Sequence, residues 1–172
     1  MIEKSTTERI LDFFFENPTK EFHLRELARI VKLSMPTIIA TTDYLAKKQL
    51  IIKKKGTVLT EVAANRESTA FIQMKRVSNL EKVYLSGMVN FLVEQYGHPK
   101  AIILFGSFSR GEDTETSDID IAIFTTKKKQ PLLKKYEKLL KRRINVHEVA
   151  PEKVSKEFEA NLHNGIILEG SW

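Results

Sequence analysis

Residues 104–124 read Leu-Phe-Gly-Ser-Phe-Ser-Arg-Gly-Glu-Asp-Thr-Glu-Thr-Ser-Asp-Ile-Asp-Ile-Ala-Ile-Phe. The stretch begins on the end of an apolar run, Ala101–Phe105, which predicts one buried strand. Gly106-Ser107 follows that strand directly, and Asp118 and Asp120 come after ten intervening residues, at the start of a second strand. Two residues apart on a strand, the two carboxylates share one face. They repel each other unless a cation sits between them, and Mg²⁺ suits one or two carboxylates with substrate phosphates completing its octahedron. Gly106 lets backbone approach a ligand closely, and the N–H groups from Ser107 onward can cradle a phosphate. The Ser107 hydroxyl adds a hydrogen bond, and Arg110, about one helical turn on, offers a bidentate phosphate grip. Metal, phosphate cradle and positive charge are what in-line phosphoryl transfer needs.

Working outward, the spacing of Leu80, Val83, Tyr84, Met88, Phe91, Leu92 and Val93 predicts one long amphipathic helix from Asn79, as N-cap, to Tyr96. Gly97 and Pro99 end it. Beyond the second strand, Ile119–Phe124, come a helix over Pro131–Lys141, a strand over Ile144–Val149 and a final helix over Glu152–His163. The alternation is of the α/β (α+β) type.

With its Gly-Ser and spaced Asp-x-Asp, the segment over about residues 79–163 resembles the DNA polymerase β-type nucleotidyltransferase superfamily in its minimal stand-alone form. The resemblance implies a mixed sheet flanked by helices. It implies transfer of a nucleoside monophosphate from an NTP, with ATP the expected donor, to an acceptor hydroxyl. Mg²⁺ (or Mn²⁺) would be bound by Asp118 and Asp120, and the nucleotide held by Gly106, Ser107 and Arg110. Minimal stand-alone members commonly adenylylate a HEPN-type ribonuclease as its antitoxin, so a protein acceptor is expected.

One position departs from the pattern. Active members usually supply a third carboxylate from the next strand, and here Asn145 stands in its place in the catalytic set. An amide can be a neutral metal ligand but cannot take the attacking hydroxyl's proton. By alternation Asn145 and His147 face one way and Glu148 the other, so Glu148 could substitute only on a bulged or shifted strand; His147 is the other candidate base.

The first 65 residues read differently. A helix over Thr6–Glu16 is stopped by Asn17-Pro18, and a second spans Leu24–Val31. After a short turn, Ser34 caps a third helix that reaches about Lys48, with Pro36 harmless in its first turn. Leu50–Thr60 reads as a strand, a basic turn and a return strand. Helix, helix, turn, helix, hairpin is similar to the winged helix-turn-helix DNA-binding domains of bacterial and archaeal regulators. The candidate DNA contacts are Ser34, Thr37 and Thr41, with Thr42 beside them, on the third helix, and Lys53, Lys54 and Lys55 on the wing. The expected organisation is a winged helix over 1–65, a connector over 66–78 and a nucleotidyltransferase-like domain over 79–172. A rival reading is a DNA-binding transcriptional regulator whose α/β half only senses nucleotide or is inactive.

The 172 residues contain no cysteine, which excludes disulfides, thiolate catalysis and Cys-based zinc sites. The net charge of +6 divides evenly: residues 1–65 carry 11 Lys/Arg against 8 Asp/Glu and residues 66–172 carry 17 against 14. Lys127–Lys129 and Lys141–Arg143 flank the α/β half as a solvated face or a dock for RNA. No apolar run is long enough for a membrane span. The first residues lack a signal peptide's apolar stretch, so a cytoplasmic location is expected. A homodimer is a further expectation, with Phe71, Tyr84 and Phe91 as its candidate surface.

Overall fold

The computed structural model describes residues 4–56, 59–150 and 156–171, without the side chains of 156 and 157. The chain divides into two compact units, Met1–Lys75 and Arg76–Trp172.

In the first unit, α1 (Thr6–Glu16) starts in a capping box: the Ser5 hydroxyl accepts from Glu8 N–H while the Glu8 carboxylate accepts from Ser5 N–H. α2 (Leu24–Val31) ends on Lys32 in the left-handed conformation, and Ser34 caps α3 (Met35–Lys47), with Pro36 in its first turn. Two strands follow, β2 (Ile51–Lys55) and β3 (Thr60–Ala64). Lys53–Lys55, expected as the basic turn, lie in β2, the return strand runs from Thr60 to Ala64, and Thr57 and Val58 lie outside the described residues. A strand the sequence reading missed, β1 (Glu21–His23), completes an antiparallel sheet in the order β1-β3-β2. Ile10, Phe14, Leu27, Ile38 and Leu45 are fully buried between helices and sheet.

The expected single helix from Asn79 is two helices, and neither starts there. α4 spans Thr69–Leu85 and α5 spans Met88–Tyr96. Gly87, at φ 75°, takes the left-handed conformation between them, and the Ser86 hydroxyl both donates to Val83 C=O at 2.6 Å and accepts from Met88 N–H at 3.1 Å. That local exchange closes one helix and opens the next. Gly97 ends α5, as expected.

The second unit holds β4 (Ala101–Phe105), α6 (Gly106–Arg110), β5 (Ile119–Phe124), α7 (Lys134–Leu140), β6 (Ile144–Val149), α8 (Lys156–His163) and β7 (Ile166–Gly170). α7 begins at Lys134 rather than Pro131, residues 151–155 of the expected last helix lie outside the described residues, and β7 was not foreseen. The sheet is mixed, in the order β6-β5-β4-β7, with β5 and β6 parallel and the other pairs antiparallel. All five β4 residues are buried, because the sheet is covered on both faces. Ile102 and Leu104 pack with Met88, Leu92 and Tyr96 of α5, whereas Ala101, Ile103 and Phe105 pack with Leu162 of α8.

Of the three aromatic residues expected to face a second copy, Phe71 is buried and Phe91 stacks on Tyr136 at 5.2 Å, which leaves Tyr84 half exposed. Among the described residues, no helix is long and apolar enough to cross a membrane.

Candidate active site

The two antiparallel strands β4 and β5 bring the motif together, because their register sets Phe105 opposite Asp120. Gly106 therefore begins α6 beside the Asp120 carboxylate. A Cβ on Gly106 would lie 2.6 Å from Asp120 Oδ2, and its φ of 76° already disfavours any side chain. Any other residue here would strain the backbone and push the carboxylate from its place.

Asp118 precedes β5 by one residue and is fixed by its neighbour, since Ile119 N–H donates to Arg143 C=O at 2.8 Å. β6 runs parallel to β5 with Asn145 opposite Asp120. The Asn145 amide donates to Asp118 Oδ2 and to Asp120 Oδ1, both at 3.2 Å. One neutral amide thus spans two carboxylates. The next residue on that face, His147, has Nε2 3.7 Å from Asp120 Oδ1, and its ring lies against Phe105 and Phe158.

Glu148 takes no part. Strand alternation turns it to the other face, where its Oε1 accepts from the Tyr96 hydroxyl at 2.8 Å and from Lys129 N–H at 2.6 Å. Burial first, and then the Glu148 carboxylate, push the Tyr96 phenol above its ordinary pKa. β6 has neither the bulge nor the slip that would bring a third carboxylate to the site.

Ser107 lies half-buried in the first turn of α6, and the buried Ser109 hydroxyl closes that turn by donating to Gly106 C=O at 2.8 Å. Arg110 turns to Glu112, with Nε 2.7 Å from Oε2. A phosphate grip by Arg110 requires that exposed pair to open. Asn79 contributes where local sequence gave no hint: its buried side chain donates to Phe108 C=O at 3.0 Å and to Asp113 Oδ1 at 2.7 Å. Arg142 approaches the same buried Asp113, with Nη2 3.9 Å from Oδ2. These contacts tie α6 and the loop after it to α4 and to the start of β6. The Asn79 signal was read as a helix cap because its partners lie 29 and 34 residues away.

The donor set fits a hard divalent cation. Two carboxylates converge at a glycine-lined strand end, and turning the Asn145 amide over would present an oxygen in place of its N–H. Among the described residues, no three His, Cys, Asp or Glu side chains form a metal cage of their own. Such a site draws the rest of the ion's shell from substrate oxygens and water.

In the first unit the basic hairpin is largely spoken for. Lys53 is 12% exposed and points inward, with Nζ donating to Asp43 Oδ1 at 2.7 Å and to Thr42 Oγ1 at 3.2 Å. Lys54 pairs with Glu21 at 2.7 Å, and that bond raises the ammonium's pKa. Lys55 alone of the three has no ion pair among the described residues. On α3 the Ser34 and Thr37 hydroxyls bond each other at 2.7 Å, Thr41 is half-buried, and Thr42 is buried with its hydroxyl on Ile38 C=O.

A strand-end glycine opening a short helix, beside paired aspartates at the start of the neighbouring strand, is the arrangement expected of a nucleotidyltransferase. The chain belongs to that family: residues 89–169 match the family described as polymerase beta, nucleotidyltransferase. Two proteins of Methanocaldococcus jannaschii, each carrying the name putative protein adenylyltransferase, are similar over 94 residues. One is 35% identical, over 52% of this chain and 94% of its own length; the other is 31% identical, over 55% and 89%. No solved structure is a significant match.

Proposed function

We propose that the second unit transfers AMP from ATP to a hydroxyl of a protein acceptor, and that the first unit is a winged helix-turn-helix that binds DNA. The observation that carries the transfer reading is the convergence of Asp118 and Asp120 on one amide beside Gly106. The names of the two relatives support AMP as the group and protein as the acceptor.

Asp118 and Asp120 would hold Mg²⁺ (or Mn²⁺), and Ser107 with the first N–H groups of α6 would hold the triphosphate. The ion, when bound, supplies positive charge for the phosphate oxygens. In the transfer the acceptor oxygen bonds to the α-phosphorus, the bond to the β-phosphate breaks, and pyrophosphate leaves. Asn145 cannot take the hydroxyl proton, which passes to His147, the remaining candidate base on that face, or to solvent. Loss of a general base costs on the order of 10² to 10⁴ in rate, so without the third carboxylate transfer is slow or depends on the acceptor. Incubation with α-labelled ATP, Mg²⁺ and host lysate tests this directly. Label on a protein band that vanishes with Asp120→Asn supports it, and no label on any macromolecule counts against it.

The neutral Asn145 also favours a second reading, a DNA-binding regulator whose nucleotidyltransferase unit senses nucleotide without turnover. Mg²⁺-dependent ATP binding without labelling of any acceptor is its signature. For the first unit, the α2-turn-α3 order and the β2/β3 hairpin support DNA binding. Ser34, Thr37, Thr41 and Lys55 are the contacts, with Lys53 and Lys54 available only if they leave Asp43 and Glu21.

A further inference from the structure

α3 presents to solvent a different surface from the one its small polar residues suggest. Ile38, Thr42 and Leu45 face the core, so by helical spacing the outward stripe is Pro36, Ile39, Ala40, Asp43, Tyr44 and Lys47, all of them exposed. Ile39 is 43% exposed, large for an aliphatic side chain in so small a unit. The hydroxyls of Ser34 and Thr37 bond each other, and that of Thr42 donates to Ile38 C=O. Asp43, the one acid on the stripe, accepts from Lys53 Nζ at 2.7 Å.

Charge is arranged around this stripe rather than at its centre. Residues 24–48 carry five Lys/Arg against two Asp/Glu, and none of the five lies between Leu33 and Ala46. Arg25 and Arg29 stand one turn apart on α2, Lys32 in the turn that follows, and Lys47 and Lys48 at the end of α3, all exposed. Among the described residues, Arg25, Arg29, Lys32 and Lys47 make no ion pair.

Duplex DNA has the complementary layout. Two rails of phosphate border a groove whose floor carries base edges, and in the major groove thymine alone adds a methyl group. In a helix-turn-helix the first helix crosses the backbone, while the N-terminal residues of the second meet the base edges. On that layout the cations of α2 and of the end of α3 lie at phosphates, and Ile39 and Ala40, in the first two turns of α3, lie at bases. Bidentate reading of guanine needs Arg or Lys, and that of adenine Asn or Gln. The first two turns of α3, Met35 to Thr42, contain none of these. Neither Ile39 nor Ala40 can hydrogen-bond a base, but both can cover a methyl group.

We propose that Ile39 and Ala40 read thymine methyl groups in the major groove, so that the first unit selects its DNA by apolar contact with thymine and not by hydrogen bonds to base edges. The inference rests on the DNA-binding reading of that unit and deepens it, by naming the chemical feature of the duplex that is recognised.

The probes are two fluorescein-labelled duplexes of about two helical turns, alternating dA-dT and the same sequence with deoxyuridine in place of thymidine. Deoxyuridine keeps every hydrogen-bonding edge and lacks only the C5 methyl. Burial of one methyl corresponds to about fourfold in affinity, so with two residues in contact the full native chain should bind the thymidine duplex about tenfold more tightly. Ile39→Ser should reduce that ratio to about fourfold, the share left to Ala40, with affinity for the deoxyuridine duplex unchanged. Circular dichroism checks that this surface variant is folded, and the comparison of the two duplexes needs only the native chain. Equal binding of the two duplexes overturns the proposal and leaves DNA binding standing. A thymidine preference that Ile39→Ser leaves intact overturns it as well, because the methyl is then read by another residue. Failure to bind either duplex at low salt removes the DNA-binding reading itself, and the proposal with it.

Discussion

Asn145 stands beside Asp120 in the parallel pairing of β5 and β6 and donates its amide to that carboxylate at 3.2 Å. The same amide reaches Asp118 at an equal distance. A neutral donor holds together two like charges that a cation would otherwise bridge.

Replacing Asn145 by Asp should therefore act in two opposite ways. Without divalent ions the variant loses the bridging donor and gains a third charge, so its melting temperature falls below that of the native protein. With Mg²⁺ the difference closes, and AMP transfer rises by about tenfold or more, toward the range associated with a general base. Melting curves with and without Mg²⁺, beside labelling by ATP, read both effects. A variant equally stable in the two conditions and no faster would remove Asn145 from the site's chemistry.

Gly106→Ala should cost about 1–2 kcal/mol from its left-handed backbone alone. Its Cβ must also displace the Asp120 carboxylate, which would lie 2.6 Å away. Mg²⁺-dependent nucleotide binding should then be lost in protein that remains folded. Denaturant unfolding and nucleotide titration separate the two effects, and retained nucleotide affinity would contradict the close-approach argument.

Tyr96→Phe removes the hydroxyl that donates to Glu148 at 2.8 Å, on the face away from the site. A hydrogen bond to a charged group contributes about 1.5–3 kcal/mol, so stability falls while transfer does not. The phenol's folded pKa is raised. Its contribution is therefore fully present below the unfolded tyrosine value, about 10, and is lost as pH rises toward the folded one. Melting temperatures measured from pH 8 to 11 should drop more steeply for the native protein than for the variant.

Lys53 and Lys55 should behave differently although they lie two residues apart. Lys53→Ala breaks the contacts with Asp43 and Thr42 and should cost about 1 kcal/mol of stability. Lys55→Ala should leave stability within about 0.5 kcal/mol and reduce the salt slope of DNA binding by about one. Unfolding curves and binding at several salt concentrations distinguish them. An unchanged slope for Lys55→Ala would take the hairpin out of the DNA contact.

The sequence revealed what depends on local periodicity. Asn17-Pro18, Ser34 and Gly97 act within a residue or two of the helix ends they set, so those ends could be read. Asp118 and Asp120 share a face by alternation alone, and the same alternation correctly sent Glu148 away from them. β1 is only three residues long, too short for any period to show. Asn79, Lys53, Lys54 and Arg110 make pairings that were not legible, for another reason. Each has a side chain fully capable of the expected role, but Asn79, Lys53 and Lys54 meet partners far along the chain, and Arg110 meets a near neighbour that competes for it. Side-chain pairing of that kind leaves no periodic trace.

The central strand β4 has its antiparallel partners β5 and β7 on opposite sides, and β7 is made only after α8. While the chain is being synthesised, Ala-Ile-Ile-Leu-Phe must therefore wait with one ladder edge open, guarded only at its ends by Pro99-Lys100 and Gly106. Such a segment is an invitation to pair with the same segment of a neighbouring nascent chain. Expression yield should thus be governed less by the stability of the finished fold than by how quickly translation delivers β7, or by a chaperone that shelters β4 until it arrives.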